Sequence, residues 1–176
     1  PITKAKLFPV SYPAGFTETN GLKLYRQTTG YTCGPSSLKM ALSRYGITAY
    51  EMTLASYAGS TSTAGSTHAG LINATKRTTS TLTLLDKSFS SVGWSGIYNY
   101  IKNNVPVICH LESFLNPGVS GHYVVIFGID MNNKKVKLGD PSYGVRTVSF
   151  STMETKMRWV LNTGRATTNL MPLVRA

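Results

Sequence analysis

The spacing of apolar residues changes near the middle of this chain, and that change limits what it can fold into. From Pro35 to Tyr45 the apolar positions Leu38, Ala41, Leu42 and Tyr45 fall at i, i+3, i+4 and i+7. This predicts an amphipathic helix with Pro35 in its first turn and Gly46 as its left-handed cap. A capping box, Thr48-x-x-Glu51, predicts a short helix to about Ala58, closed by Gly59. Helices are also expected from His68 to Arg77 and from Trp94 to Asn103, with a short strand from Thr81 to Leu85 between them. Beyond Val105 the pattern turns to β: Val105 to Leu111, His122 to Ile129, Lys134 to Leu138 and Val145 to Phe150 read as strands. Asn132-Asn133 and Pro141 to Gly144 read as turns. A second box, Ser151-x-x-Glu154, predicts a helix to about Leu161, and Leu170 to Val174 a last strand with Pro172 at its edge. Helices ahead of antiparallel strands make α+β the expected class.

The 176 residues suit one domain, 1–176, whose first 26 residues read as an extended, Gly- and Pro-punctuated lead-in. No stretch approaches the roughly 20 apolar residues of a membrane helix, so no membrane partner is expected. Eighteen basic against seven acidic residues give a net charge of +11. The basic residues come in ones and twos without a nucleic-acid-binding signature, so nucleic acid is not an expected partner. A basic surface in a background of Ser, Thr, Asn and Tyr suits an anionic cell-wall surface better. The expected assembly is a monomer. Cys33 and Cys109 sit in different settings, so no disulfide is expected, and no C-x-x-C or H-x-x-x-H spacing suggests a metal site.

The residues with chemical potential concentrate around Cys33. Its thiol stands at the amino end of the strongest helix, where the helix dipole and unpaired N–H groups favour an anion. Gly34 beside it would let a substrate backbone approach, and Pro35 fixes the turn behind. A thiol nucleophile needs a base, and His122 opens an apolar strand after the turn-forming run Asn116 to Gly121. If the strands on either side of Asn132-Asn133 form a hairpin, Asp140 returns to the end that carries His122 and can orient its imidazole. Asp130 would lie about 26 Å away, at roughly 3.3 Å per residue of strand. Gln27, six residues before Cys33, could add a side-chain amide to an oxyanion hole beside the Cys33 N–H. The loop from Gly59 to Thr67, His68, Gly121 and Tyr123 are expected at the cleft, with Trp94 a weaker candidate and His110 structural. No metal or organic cofactor is needed for this chemistry.

Gln27, Cys33-Gly34-Pro35-Ser36, Gly121-His122-Tyr123-Val124-Val125 and Asp140-Pro141, in that order, resemble the C39-like branch of the papain-like cysteine peptidases. The longer phrases Tyr31 to Met40, Thr67 to Ala74, Gly93-Trp-Ser-Gly96 and Lys156 to Asn162 are similar to the pseudomurein endoisopeptidases, wall-lysing enzymes of viruses and proviruses of methanogenic archaea. The resemblance implies a papain-like fold with the nucleophile on a helix packed against the sheet that carries His and Asp. It implies hydrolysis of the bond between alanine and the lysine ε-amine in pseudomurein crosslinks by a Cys-His-Asp triad, lysing the wall from a virus-infected or provirus-carrying cell. It also implies amino-terminal wall-binding repeats, which these residues lack, so a catalytic domain cut from a longer protein is expected. The alternatives left open are a C39-like peptidase or acyltransferase on another peptide substrate, and an inactive wall-binding module.

Overall fold

The computed structural model describes residues 11–176, so the first part of the expected lead-in lies outside the described residues. Among the described residues, five helices and seven strands follow in an order that keeps the α+β class. Three helices come early: α1 (Cys33–Ser43), α2 (Glu51–Ala58) and α3 (His68–Thr78). The strands β1 (Thr17–Glu18), β2 (Leu82–Leu84), β3 (Val107–Glu112), β4 (Gly121–Asp130), β5 (Lys135–Asp140), β6 (Gly144–Ser149) and β7 (Leu170–Arg175) pair antiparallel throughout. They form one sheet in the order β2-β7-β3-β4-β5-β6, with β1 on the far half of β4. Two more helices, α4 (Phe89–Lys102) and α5 (Phe150–Asn162), complete the fold.

The sheet is buried on both faces, because period-2 alternation sends neighbouring residues to opposite sides. Tyr123 and Val125 of β4 join Ile108 of β3 in a core with Leu38, Leu42, Leu54 and Leu71 from α1 to α3. Val124 and Ile126 join Cys109 and Leu111 in a second core with Ile97, Ile101, Met153 and Met157 from α4 and α5. Leu38 and Leu42 are fully buried, and truncating either to Ala would cost about 2–5 kcal/mol.

Four local expectations need correction. Thr48-x-x-Glu51 is not a capping box: Tyr50 is the N-cap of α2, and the Glu51 carboxylate turns away to bind the loop before Cys33. Ser149 rather than Ser151 caps α5, accepting from Thr152 N. The helix expected from Trp94 is preceded by a turn of helix from Phe89, and Gly93 (φ 64°, ψ −179°) breaks the two apart with a conformation that costs glycine little. Pro172 is not on an edge, since β7 lies between β2 and β3. Its carbonyl accepts from Leu85 N, so its missing N–H would face the chain just past the last residue of β2. The reciprocal bond to Leu85 O cannot form, so the proline costs the ladder a single bond there.

Candidate active site

The amino end of α1 is built by a carboxylate that the sequence pattern disguised. Glu51, nearly buried, accepts from Thr28 N (2.9 Å), Thr28 Oγ1 (2.9 Å) and Thr32 Oγ1 (2.5 Å). Thr32 precedes the thiol, and its hydroxyl is drawn to Glu51 instead of capping the helix. The first helical bond is Ser36 N to Thr32 O at 3.0 Å. Cys33 thus takes the first position of the helix, where its N–H has no intrahelical acceptor.

The segment before it is stitched to the turn after Asp140. Gln27 N donates to Pro141 O at 2.9 Å, and the Arg26 guanidinium donates to the carbonyls of Tyr143 and Ser142 at 2.9 and 3.1 Å. The Gln27 amide nitrogen spends one proton on Thr29 O at 2.8 Å, which leaves its second N–H free for another acceptor.

His122 and Asp140 meet because the hairpin of β4 and β5 returns the chain as expected, with Val125 opposite Gly139 in the last paired register. His122 Nε2 lies 2.6 Å from Asp140 Oδ1. Asp140 is 1% exposed, and it also accepts from Ser142 N (2.9 Å), Ser142 Oγ (2.7 Å) and Arg146 Nε (2.6 Å). Burial alone would raise the Asp140 pKa; its hydrogen bonds to His122, Arg146 and Ser142 outweigh burial and hold it well below the carboxylate range. With Nε2 engaged by Asp140, the other ring nitrogen is the one left for Cys33, and both neighbours favour the protonated imidazole. Burial disfavours the imidazolium, yet the Asp140 and Cys33 interactions prevail and lift His122 to about 9. Such a set can hold a thiolate beside an imidazolium and move one proton between them. Asp130 sits at the other end of β4, accepting from Asn133.

A cavity of about 570 Å³ opens beside Cys33. Loop residues 62–67 form one wall, as expected; that loop is folded back by paired bonds between Thr61 and Gly65. Gly121, Tyr123 and His68 line it too. Tyr123 is almost wholly buried and reaches across to donate its hydroxyl to Ser66 O at 2.9 Å. Two expected cleft residues do other work. Gly34 is buried, and a Cβ there would stand 2.9 Å from Ser66 Cβ, so its missing side chain makes room for the loop and not for a substrate. Trp94 stacks on Phe150 at 3.9 Å within the second core. Sequence reasoning missed His110, expected to be structural but lining the cavity, and Asp86, which lines it too. Arg146 was missed as well; the only signal for it was its place on the strand that follows Asp140.

The model of the Peptidase_C39 like family matches residues 19–167. An uncharacterised protein of Methanothermobacter marburgensis is 31% identical over 121 residues, which are 69% of this chain and 72% of that protein. Among solved structures, the peptidase domain of Streptococcus ComA, a bifunctional ABC transporter involved in quorum sensing, is 20% identical with a TM-score of 0.64, over 88% of this chain and 98% of that one. A Bacillus anthracis protein described as a C39-like peptidase is 17% identical with a TM-score of 0.67, over 92% and 98% of the two chains. The fold is therefore the papain-like one, with the helix that starts at Cys33 packed on the sheet that carries His122 and Asp140. Matched along most of its length, the chain belongs to the Peptidase_C39 like family, a membership that carries a cysteine peptidase function.

Proposed function

We propose that this chain is a cysteine endoisopeptidase that hydrolyses the Ala–ε-Lys crosslinks of pseudomurein and so lyses the walls of methanogenic archaea. The observation that carries the catalytic part is the His122–Asp140 contact at 2.6 Å, which leaves the opposite ring nitrogen to Cys33. The substrate part is supported by the phrases around Cys33, His68, Trp94 and Arg158 that resemble the pseudomurein endoisopeptidases, and by the relative in a methanogen.

In the proposed reaction the Cys33 thiolate attacks the alanine carbonyl carbon. The oxyanion that forms accepts from the Cys33 N–H and the free N–H of Gln27. His122 then gives its proton to the lysine ε-nitrogen, the C–N bond breaks, and a thioester remains on Cys33. Water attacks that thioester, its proton passes to His122, and the thiolate leaves as the alanine carboxylate departs. Asp140 keeps the imidazole oriented through both halves. The net charge of +11 would hold the enzyme on an anionic wall without binding repeats.

Digestion of purified pseudomurein by this chain and by Cys33→Ala, under reducing conditions and followed by released ε-amino groups, tests the proposal. Release by the parent alone is expected. Cleavage of other peptides but not of pseudomurein would overturn the substrate and keep the peptidase, and no cleavage of either would favour the binding module.

A further inference from the structure

A second chain of hydrogen bonds ends in the cavity beside Cys33. Asp86 Oδ1 lies 3.2 Å from His68 Nδ1, and His68 Nε2 lies 2.8 Å from His110 Nδ1. Thr168 Oγ1 is 2.5 Å from Asp86 Oδ1 and 3.2 Å from His68 Nδ1. These contacts join α3, the segment after β2, β3 and the segment before β7. His110 is also pinned from behind: its ring stacks on Tyr123, its cross-strand partner, at 4.3 Å, and Asn169 exchanges hydrogen bonds with its backbone.

The directions of these bonds follow from which atoms can donate. A carboxylate only accepts, so Thr168 gives its hydroxyl proton to Asp86 and His68 Nδ1 carries a proton shared between Asp86 and Thr168. When the His68 ring is neutral its Nε2 is a bare acceptor, and His110 Nδ1 donates to it. That leaves His110 Nε2 as a lone pair. Burial, with help from His68, Arg165 and His122, holds His110 down at about 3, so the ring stays neutral.

His110 is 7% exposed and lines the cavity, and its Nε2 has no protein partner among the described residues. Gly121 keeps that atom open: a Cβ there would stand 2.9 Å from Nε2. A ring nitrogen with an unused lone pair, on a nearly buried side chain that lines the cavity holding the reactive thiol, is an unfilled acceptor.

We propose that His110 Nε2 is the acceptor of a peptide-recognition subsite, taking a hydrogen bond from an N–H of the substrate bound beside Cys33, and that Asp86 fixes it in that role through His68. A neutral amide N–H is the chemistry it selects, and an ester oxygen at the same place is rejected because both partners would be acceptors. The subsite requires Cys33 as the reacting thiol and is independent of whether the crosslink is pseudomurein's.

Disulfide exchange at Cys33 tests the selection directly. The whole chain is equilibrated with bis(acetamidoalkyl) and bis(acetoxyalkyl) disulfides, matched in length at two, three and four carbons, and the captured adducts are weighed by mass spectrometry. At one arm length the amide should be captured roughly two- to tenfold over its ester, the range one hydrogen bond supplies. The preference should vanish in His110→Phe, which keeps the ring against Tyr123 but has no lone pair. Equal capture at every length, or an amide preference that survives His110→Phe, overturns the subsite. Nitrogen-15 NMR of the histidine rings decides the tautomer without a variant or a capture: a bare Nε2 on His110 is expected, and a proton there overturns the proposal.

Discussion

Thr32 Oγ1, one residue before the thiol, is 2.5 Å from Glu51 Oε2. That contact spans nineteen residues of chain and is joined by two more from Thr28, so one carboxylate sets the path of the whole loop from Gln27 to Cys33. Glu51→Ala strands those donors in a nearly buried place. A loss of about 3 kcal/mol in urea unfolding is expected, because bonds to a charged acceptor are worth about 1.5–3 kcal/mol each and do not add fully. Peptidase activity should fall at least about tenfold in the fraction that still folds, since the loop carries the proposed oxyanion donors. Glu51→Gln, which keeps an acceptor, should lie between.

Iodoacetamide should label Cys33 and spare Cys109. Cys109 is wholly buried beneath α4 and α5, and burial drives its thiol pKa upward, away from the reactive thiolate. Peptide mapping after brief alkylation gives the answer, and prior Cys33→Ala substitution should abolish labelling of the folded protein.

The alkaline limb of kcat/KM should fall near pH 9, where His122 loses its proton. The sign for stability follows the same shift. A histidine raised from 6.5 to about 9 on folding contributes stability that is complete below about pH 6.5 and gone above about pH 9. The gap in stability between the parent and His122→Ala should therefore narrow between those limits. Asp140→Asn should bring the alkaline limb down and cost roughly 10²- to 10⁴-fold in kcat.

Trp94→Ala should cost about 2–4 kcal/mol in stability through its lost stack on Phe150. Alkylation of Cys33 should continue at the parent's rate. Gly34→Ala should do the reverse: a modest loss of about 1–3 kcal/mol from overpacking against Ser66, with a changed rate at Cys33 because the cavity wall moves.

The helices and strands were legible where a repeat ran long enough to exclude its rival, as in α1 and β4. Asp140 was legible too, because a hairpin has only one way to bring a residue back to the start of its first strand. Glu51 was misread since Thr-x-x-Glu spells a cap and a loop anchor alike; only the fold decides which donors lie nearer. Gly34 and Trp94 failed for a related reason. A small residue beside a thiol serves a substrate or a neighbouring loop equally well, and an indole fills a cleft or a core with the same composition. The pairing of Asp86 with His68 and His110 lay beyond sequence reasoning, since those residues belong to separate elements that share no period.

The place of β7 bears on how the protein is made. β2 reaches the rest of the sheet only through β7, among the described strands. A chain emerging from the ribosome thus presents Cys33, His122 and Asp140 well before the strand that knits β2 to β3 and carries Thr168 into position. Thr168 and Arg165, both on the cavity wall, arrive equally late. Vectorial synthesis therefore delivers the reactive groups first and their substrate cavity later, so a nascent peptidase has no finished cavity while β7 is still inside the ribosome.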